Sequence, residues 1–348
     1  MTSFQACEGR VRFRRTTPFA SLLAVACLAL AILPASQAHA RVKPFDQFIT
    51  GNPEDVQVTV TQRLLLMGGG PEVDVAVRRW LAGVAGGDVL VLRASGSDGY
   101  NDYLFDLGDV DSVETLVLHR SSASFDEEVL ASIAGAEAIL LAGGDQSDYL
   151  AQWAGTPLSD ALGQRLLAGA ALAGTSAGLA VMGEFAFSAE NGSVGSDEAL
   201  ADPFNRRITL TPGLVSLDAL RGVITDSHFY ERDRMGRLVT FVARLWHDGV
   251  VSASGAPLAG LGLDEETALV LDPDGQASVF GLGHVYLVTL GRAPLRVEPN
   301  RALLALGVEV RRVRVGDQLD WRTWSGAGVE YRVHAVGGRL WGGGLSVY

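Results

Sequence analysis

One serine lies in a pattern that is typical of a nucleophile. Ser176 is the centre of the sequence GTSAG at residues 174–178, a G-x-S-x-G motif that follows the apolar run Ala170–Thr175. A tight turn from strand to helix lifts such a serine clear of the sheet, and its small neighbours let the turn pack closely. The N–H of Ala177, at the start of the helix, can then donate to an oxyanion. The motif therefore predicts acyl-transfer chemistry at Ser176.

His228 is the histidine best placed to act as the base for that serine. It follows the apolar run Gly222–Thr225, so Ser176 and His228 both stand at predicted strand ends. Charged residues crowd the segment after it, which is typical either of a substrate-binding cluster or of a solvated helix start with intrahelical ion pairs. Such a cluster would bind a substrate carboxylate through three arginines within six residues, Arg232, Arg234 and Arg237.

The acid that orients the histidine is open between three carboxylates. If the order along the chain is serine, acid, histidine, the acid lies between Ser176 and His228. The candidates are Glu190, Asp197 and Glu198, which the sequence alone barely separates. The third member of the predicted Ser–His–acid site therefore stays undecided on the residues alone.

Two glycine-containing turns follow predicted strands. The sequence GGDQ at residues 143–146 follows the apolar run Ala136–Ala142. Its glycines let a backbone N–H face a cleft, and Gln146 can bind a substrate amide, although a purely structural turn would have the same sequence. The glycines at residues 68–70 lack the G-x-G-x-x-G spacing of a dinucleotide site, so they predict only a tight strand-to-helix turn.

These motifs lie within an alternation of short apolar runs and helical segments. The alternation predicts an α/β layer sandwich with a mostly parallel sheet, whose ligands bind at the carboxyl ends of the strands. Beyond about residue 255 the pattern changes to that of antiparallel strands. We expect an α/β catalytic domain over residues 41–254 and a β-rich region over residues 255–348, either an appendage or an extension of the sheet.

The first 40 residues have the pattern of a secretory signal peptide. Four arginines precede the apolar run Ala20–Leu33, which is too short to span a bilayer comfortably, and residues 38–40 (AHA) form a cleavage site. Cleavage after Ala40 would place the mature protein in the periplasm or outside the cell. It would also remove Cys7 and Cys27, so we expect no disulfide and no cysteine nucleophile in the mature protein.

Composition limits the class of partner. The chain has 348 residues, of which 48% are hydrophobic, enough for a sizeable core, and its formal net charge is −12, which argues against a nucleic-acid binder. No Cys and His cluster has the spacing of a metal site. We expect no metal or organic cofactor, no nucleic acid and no stable membrane anchor, and we leave a homodimer open.

Together the motifs resemble those of the cyanophycinase and dipeptidase E family of serine peptidases. The resemblance covers roughly residues 62–245 and rests on GGDQ at 143–146, GTSAG at 174–178 and DSHF at 226–229 with the three arginines. It implies a flavodoxin-like fold and a Ser–His–acid site that cleaves peptide bonds made by aspartate. Ser227 departs from the pattern, because cyanophycinases usually have glutamine there.

The resemblance also implies roles for individual residues. Ser176 would be the nucleophile and His228 the base, and Glu198 would be the acid, because residues 196–198 (SDE) resemble the family's Ser-Gly-Glu segment. The implied oxyanion hole consists of N–H groups of Gly144 or Asp145 together with Ala177. The residues implied to hold a β-aspartyl-arginine substrate are Gln146, Asp226, Arg232, Arg234 and Arg237.

Three hypotheses follow. The leading one is a secreted or periplasmic serine peptidase whose peptide substrate is cleaved at aspartyl bonds of the cyanophycin type. The second is an esterase of the α/β-hydrolase fold, which shares the G-x-S-x-G motif but needs a His-Gly-Gly oxyanion loop that we do not find. The third is a non-catalytic periplasmic peptide-binding protein. Hydrolysis of p-nitrophenyl esters alone would favour the second, and peptide binding without product would favour the third.

Overall fold

The apolar runs of the N-terminal half form the parallel strands of one sheet. A computed structural model describes residues 43–342 and 346–348 of the chain. The signal peptide predicted over residues 1–40 lies outside these residues. Within them, no helix is both long enough and apolar enough to cross a membrane.

The described residues form α-helices and strands in the following order. The helices are α1 (Asp74–Leu81), α2 (Asn101–Leu107), α3 (Glu127–Gly135), α4 (Gln146–Trp153), α5 (Pro157–Leu167), α6 (Ala177–Ala180), α7 (Ser196–Ala201) and α8 (Met235–His247). The strands are β1 (Phe45–Gly51), β2 (Leu64–Met67), β3 (Asp88–Arg93), β4 (Ser112–Leu118), β5 (Ala138–Leu141), β6 (Ala171–Thr175), β7 (Phe185–Phe187), β8 (Leu210–Pro212), β9 (Val223–Asp226), β10 (Ala259–Leu263), β11 (Thr267–Leu271), β12 (Gln276–Gly281), β13 (His284–Thr289), β14 (Leu295–Arg296), β15 (Leu304–Arg314), β16 (Gln318–Asp320), β17 (Ser325–Gly326), β18 (Val329–Val336) and β19 (Arg339–Gly342).

The first sheet has the strand order β1-β4-β3-β5-β6-β2-β11-β12-β16-β17. Its central strands, from β4 to β2, are parallel, and the strands on either side of them are antiparallel. Leu64 and Leu66 of β2 pack on one face with α3, α4 and α5, whereas Leu65 and Met67 pack on the other with α1 and α2. The predicted α/β fold is confirmed, although only the central strands of this mixed sheet are parallel.

Polar caps and a proline fix where the helices begin. Asp126 accepts a hydrogen bond from the Glu128 N–H before α3, and Asp145 accepts one from the Ser147 N–H before α4. Pro157 is the first residue of α5, where its missing N–H leaves no hydrogen bond unmade. Because α4 begins directly after the turn at residues 143–145, its cap also holds that turn at the end of the sheet.

The second sheet has the strand order β19-β18-β15-β13-β10-β9-β7-β8, with β14 paired to β15. Helix α8 packs on one of its faces together with α7, and every residue of α8 from Met235 to Ala243 is buried. Leu261 and Leu263 of β10 point the other way and join the core that contains Leu64 and Leu66 of the first sheet. The two sheets therefore share one hydrophobic core.

The predicted β-rich C-terminal region is present and extends both sheets. Strand β11 pairs with β2 of the first sheet, and β10 pairs with β9 of the second. Lys43–Tyr348 form one compact unit. Of the two alternatives, an appendage or an extension of the sheet, the described residues show the extension, because strands beyond residue 254 complete the sheets that begin before it.

Candidate active site

Ser176 occupies the turn between β6 and α6. Its backbone has φ 53° and ψ −113°, a strained conformation that is typical of a nucleophile turn. A Cβ atom built on Gly178 would lie 1.9 Å from the Leu141 carbonyl oxygen, and one built on Gly174 would lie 2.4 Å from Met182 Sδ. The glycines of the motif are therefore required by close packing around the serine.

His228 reaches the serine from the second sheet. It follows β9, its φ is 47°, and its Nε2 lies 2.7 Å from the Ser176 Oγ. The His228 N–H donates to the carbonyl of Gly68 at 2.8 Å, which fixes the histidine to the turn after β2. A Cβ atom built on Gly69 would lie 2.5 Å from the imidazole Cε1. Gly69, predicted only as part of a tight turn, leaves the space that the imidazole occupies.

Glu265 completes a chain of hydrogen bonds. Its Oε1 lies 2.6 Å from the Nδ1 of His228, and it belongs to the short connection between β10 of the second sheet and β11 of the first. This connection is fixed on both sides, because the Glu265 N–H donates to the Glu231 carboxylate and the Glu266 N–H donates to the Gly69 carbonyl, at 3.0 and 2.9 Å. The serine, histidine and glutamate are thus linked in series.

None of the three carboxylates expected to serve as the acid contacts the base. Glu198 is exposed and accepts hydrogen bonds from Arg207 Nη1 at 2.9 Å and from the Gly195 N–H at 3.2 Å, at the start of α7. Asp197 and Glu190 are exposed as well. The structure does not bring Glu198 to His228 as expected; the carboxylate that lies at Nδ1 belongs to Glu265, which follows the histidine in the chain.

The sequence does contain a signal for Glu265. Three acidic residues (DEE at 264–266) directly follow the apolar run Ala259–Leu263, so they stand at a strand end as Ser176 and His228 do. The assumption that the acid precedes the histidine excluded them. The expected boundary after residue 254 also excludes them, because it places residues 264–266 outside the catalytic domain.

The environment of His228 keeps its imidazole neutral. Burial lowers the pKa of His228 below its ordinary value, and this effect outweighs the hydrogen bond that His228 donates to Glu265, which raises the pKa. The positive charges of Arg232 and Arg234 lower the pKa further. A neutral imidazole at neutral pH can accept the serine proton.

Backbone N–H groups from two neighbouring turns approach the serine. A Cβ atom built on Gly143 would lie 3.5 Å from the Ser176 Cβ, so the turn after β5 passes beside the nucleophile. Among the described residues, the Gly144 N–H donates to no other group. Ala177 is the first residue of α6, and an N–H at that position has no partner in its own helix. Both groups are therefore available to an oxyanion.

Asp145 and Gln146 lie at the start of α4. The Asp145 carboxylate accepts hydrogen bonds from the N–H and the hydroxyl of Ser147, at 2.9 and 2.8 Å, so it serves as a helix cap. Gln146 is half-buried, and its side-chain amide makes no hydrogen bond within the described part of the chain. Asp145 is the more exposed of the two, but Ser147 occupies its carboxylate, whereas the half-buried amide of Gln146 is without a partner among the described residues.

Asp226 and Arg237 form a buried ion pair, contrary to the expectation that both face a substrate. Each side chain is 3% exposed, and Arg237 Nε lies 2.7 Å from Asp226 Oδ2. Burial alone would raise the pKa of Asp226, but the charges of Arg237 and Arg234 hold it below its ordinary value. Arg237 lies on α8 and Asp226 is the last residue of β9. The ion pair therefore joins these two elements close to His228.

Of the three arginines, Arg232 is exposed. Arg234 is largely buried and donates to the Asp226 carboxylate at 3.1 Å and to the Ser227 carbonyl at 2.6 Å. Ser227 is 3% exposed and belongs to this internal network. Gln146 and Arg232 are therefore the implied substrate-binding residues that remain most accessible. Within residues 43–342 and 346–348, no group of three or more His, Cys, Asp or Glu side chains is arranged to hold a metal ion.

The site lies within a region that matches a known family. The model of the family described as Peptidase family S51 matches residues 98–278, which include Ser176, His228 and Glu265. A cyanophycinase of Synechococcus elongatus is 31% identical over 274 residues, a match that covers 72% of this chain and 79% of that protein. The chain belongs to peptidase family S51.

Other similar proteins match shorter segments of this S51 chain or share a lower sequence identity with it. The cyanophycinase of Trichormus variabilis is 31% identical over 186 residues, which cover 53% of this chain and 56% of that protein. Among solved structures, a peptidase from an acI-B1 Actinobacterium has a TM-score of 0.48 and 16% identity, over 75% of this chain and 98% of that one. The S51 match itself extends past residue 245 and includes the connection that carries Glu265.

Proposed function

We propose that the protein is a serine peptidase that hydrolyses aspartyl peptide bonds through an acyl-enzyme. The observation that carries the proposal is the hydrogen-bonded series from Ser176 Oγ through His228 to Glu265, with distances of 2.7 and 2.6 Å, at a strained strand-to-helix turn. Membership of peptidase family S51 supports the same reaction class.

The geometry supports the following order of steps. Ser176 Oγ attacks the amide carbon while His228 Nε2 takes the serine proton, and Glu265 accepts the Nδ1 hydrogen bond and stabilises the imidazolium. The N–H groups of Gly144 and Ala177 bind the oxyanion. His228 then gives its proton to the departing amine, and a water molecule, activated by the same histidine, hydrolyses the acyl-enzyme.

We further propose that the substrate is a peptide of the β-aspartyl-arginine type. Two similar proteins named cyanophycinases are each 31% identical to this chain over the matched residues. Arg232 is exposed beside the base and can bind a substrate carboxylate, and Gln146 can bind an amide. Ser227 is buried and therefore does not contact the substrate directly. Serine in place of the usual glutamine changes the internal hydrogen bonds next to His228.

Secretion is a separate part of the proposal. It rests on the arginine-rich start, the apolar run Ala20–Leu33 and the AHA site at residues 38–40. Expression of the full chain in its host should yield a mature form that begins at Arg41 and fractionates outside the cytoplasm. Recovery of the unprocessed chain in the cytoplasm would contradict this part and leave the catalytic part unaffected.

The deciding experiment incubates residues 41–348 with cyanophycin and with β-aspartyl-arginine dipeptides and detects the products by mass spectrometry. Ser176→Ala is the control, and its loss of cleavage would establish the serine mechanism. Labelling of Ser176 by a fluorophosphonate without peptide cleavage would retain the hydrolase and reject the substrate. Ester hydrolysis alone would favour an esterase, and peptide binding without product or labelling would favour a binding protein.

A further inference from the structure

Tyr149 is a buried polar residue that the proposed reaction does not use. It lies on α4, its side chain is fully buried, and its ring stacks on Trp153 with centroids 4.2 Å apart. Its hydroxyl lies 2.8 Å from the Ala142 carbonyl oxygen and 3.1 Å from the Gly143 carbonyl oxygen. Burial raises the pKa of Tyr149 above its ordinary range, so the hydroxyl keeps its proton and remains a donor at neutral pH.

The turn after β5 passes between Tyr149 and the nucleophile. A Cβ atom built on Gly143 would meet Ser176, with its Cβ at 3.5 Å and its Oγ at 3.9 Å. A Cβ atom built on the next residue, Gly144, would instead meet the Tyr149 hydroxyl at 3.2 Å. The two residues thus face opposite sides of the turn, one towards the serine and the other towards the tyrosine.

The tyrosine also fixes how the peptide between these two glycines is turned. In a planar trans peptide the C=O and the N–H point in opposite directions. Because the Gly143 carbonyl points to the Tyr149 hydroxyl, the Gly144 N–H points away from it. That N–H donates to no other group among the described residues. Glycines on both sides of this peptide leave the backbone free to rotate if the hydroxyl is removed.

We propose that Tyr149 is a positioning residue for the oxyanion hole: its hydroxyl holds the Gly143 carbonyl on the inner side of the turn and so directs the Gly144 N–H towards the oxyanion formed at Ser176. This inference rests on the proposed function. Without the hydroxyl, the Gly143 carbonyl loses its hydrogen-bond partner and the peptide between Gly143 and Gly144 can rotate. Rotation would turn the Gly143 carbonyl, an acceptor, towards the oxyanion in place of the Gly144 N–H, a donor.

The test compares wild-type protein with Tyr149→Phe, which keeps the stack on Trp153, and with Tyr103→Phe. Tyr103 is the control, because its hydroxyl likewise donates to a neighbouring oxygen, that of Asp74 at 2.9 Å, but lies on the other face of the sheet. The readouts are kcat and KM on a β-aspartyl-arginine dipeptide, the pH profile of kcat/KM, the rate of Ser176 labelling by a fluorophosphonate, and the melting temperature.

We expect Tyr149→Phe to lower kcat by at least tenfold, towards the roughly 10²–10³-fold that loss of an oxyanion donor costs, with KM within about threefold. Labelling should slow by a similar factor, because the phosphonyl oxygen needs the same donors. The acid limb of the pH profile should not move, because His228 and Glu265 are untouched. Tyr103→Phe should leave kcat and labelling unchanged.

Two outcomes would overturn the inference, and a third would overturn the proposed function as well. If wild type is labelled at Ser176 and Tyr149→Phe is labelled equally fast, Tyr149 does not position the donor, whether or not peptides are cleaved. Tyr149 would be a merely structural residue if Tyr103→Phe lost as much activity. The same conclusion would follow if the melting temperature showed that Tyr149→Phe is unfolded. If wild type neither cleaves nor labels, the proposed function fails and this inference fails with it.

Discussion

A single carboxylate faces the Nδ1 of His228, and that carboxylate belongs to Glu265. Glu265→Gln should therefore lower kcat by about 10²–10⁴-fold, because the neutral amide neither fixes the tautomer of the imidazole nor stabilises the imidazolium. Glu198→Gln is the matched control and should retain activity within about twofold. The measurement is kcat/KM for both variants, and loss of activity in Glu198→Gln alone would contradict the assignment.

The charges around His228 also predict how activity depends on pH. Because the pKa of His228 lies below its ordinary value of 6.5, the base stays neutral to lower pH and the acid limb of kcat/KM should fall below pH 6.5. Arg232→Gln removes a positive charge that lowers this pKa, so the limb should move to higher pH. Arg339→Gln, on the exposed edge strand β19, should leave the limb in place. An unmoved limb in Arg232→Gln would contradict the electrostatic account.

The sequence places Ser176, His228 and Glu265 alike at predicted strand ends, but it does not show which carboxylate reaches the histidine. Ser176 and His228 each follow an apolar run, so their position at strand ends was predictable from local pattern alone. The position of Glu265 depends on β10 pairing with β9 in one sheet and on β11 pairing with β2 in the other, and both pairings are long-range information. The arginines illustrate the same limit, because sequence does not tell a buried Arg237 from an exposed Arg232.

Among the elements, the turn between β6 and α6 tolerates no added side chain. Gly178→Ala would bring a methyl group to 1.9 Å from the Leu141 carbonyl oxygen, so we expect it to destabilise the fold by at least about 1–3 kcal/mol. Gly163→Ala, in α5 with open space around it, should instead stabilise by up to about 1 kcal/mol. Urea denaturation of both variants is the measurement. If Gly178→Ala and Gly163→Ala had equal free energies of unfolding, the backbone around Gly178 would be able to shift and accommodate the methyl group.

The ion pair between β9 and α8 makes a prediction about stability. Arg237→Ala leaves Asp226 buried without its main partner, so the free energy of unfolding should fall by about 3–5 kcal/mol. Asp226 has a lowered pKa when folded, so its contribution is present above its unfolded value of 3.8 and is lost as the pH falls through the folded one. The difference between wild type and variant should therefore shrink in acid. A raised KM with unchanged stability would instead support a substrate-binding role.

For the whole molecule, the shared core predicts cooperative unfolding. Strands from both sides of residue 254 lie in both sheets, and Leu261 and Leu263 pack in the same core as Leu64 and Leu66. Residues 41–348 should therefore unfold in a single thermal transition, with calorimetric and van't Hoff enthalpies in agreement. A separate unfolding transition of residues 255–348 would instead mean that this region is an appendage to the catalytic domain.

The order in which the three reacting side chains occur along the chain has a consequence during synthesis. Ser176 comes from the first sheet, His228 from the second, and Glu265 from the connection that returns to the first. A growing polypeptide that has left the ribosome as far as residue 254 can hold the serine and the histidine but not their glutamate, nor the strand that pairs with β2. Under the proposed mechanism, we expect such a chain to hydrolyse its substrate far more slowly than the complete fold does, until β11 has docked and both sheets are joined.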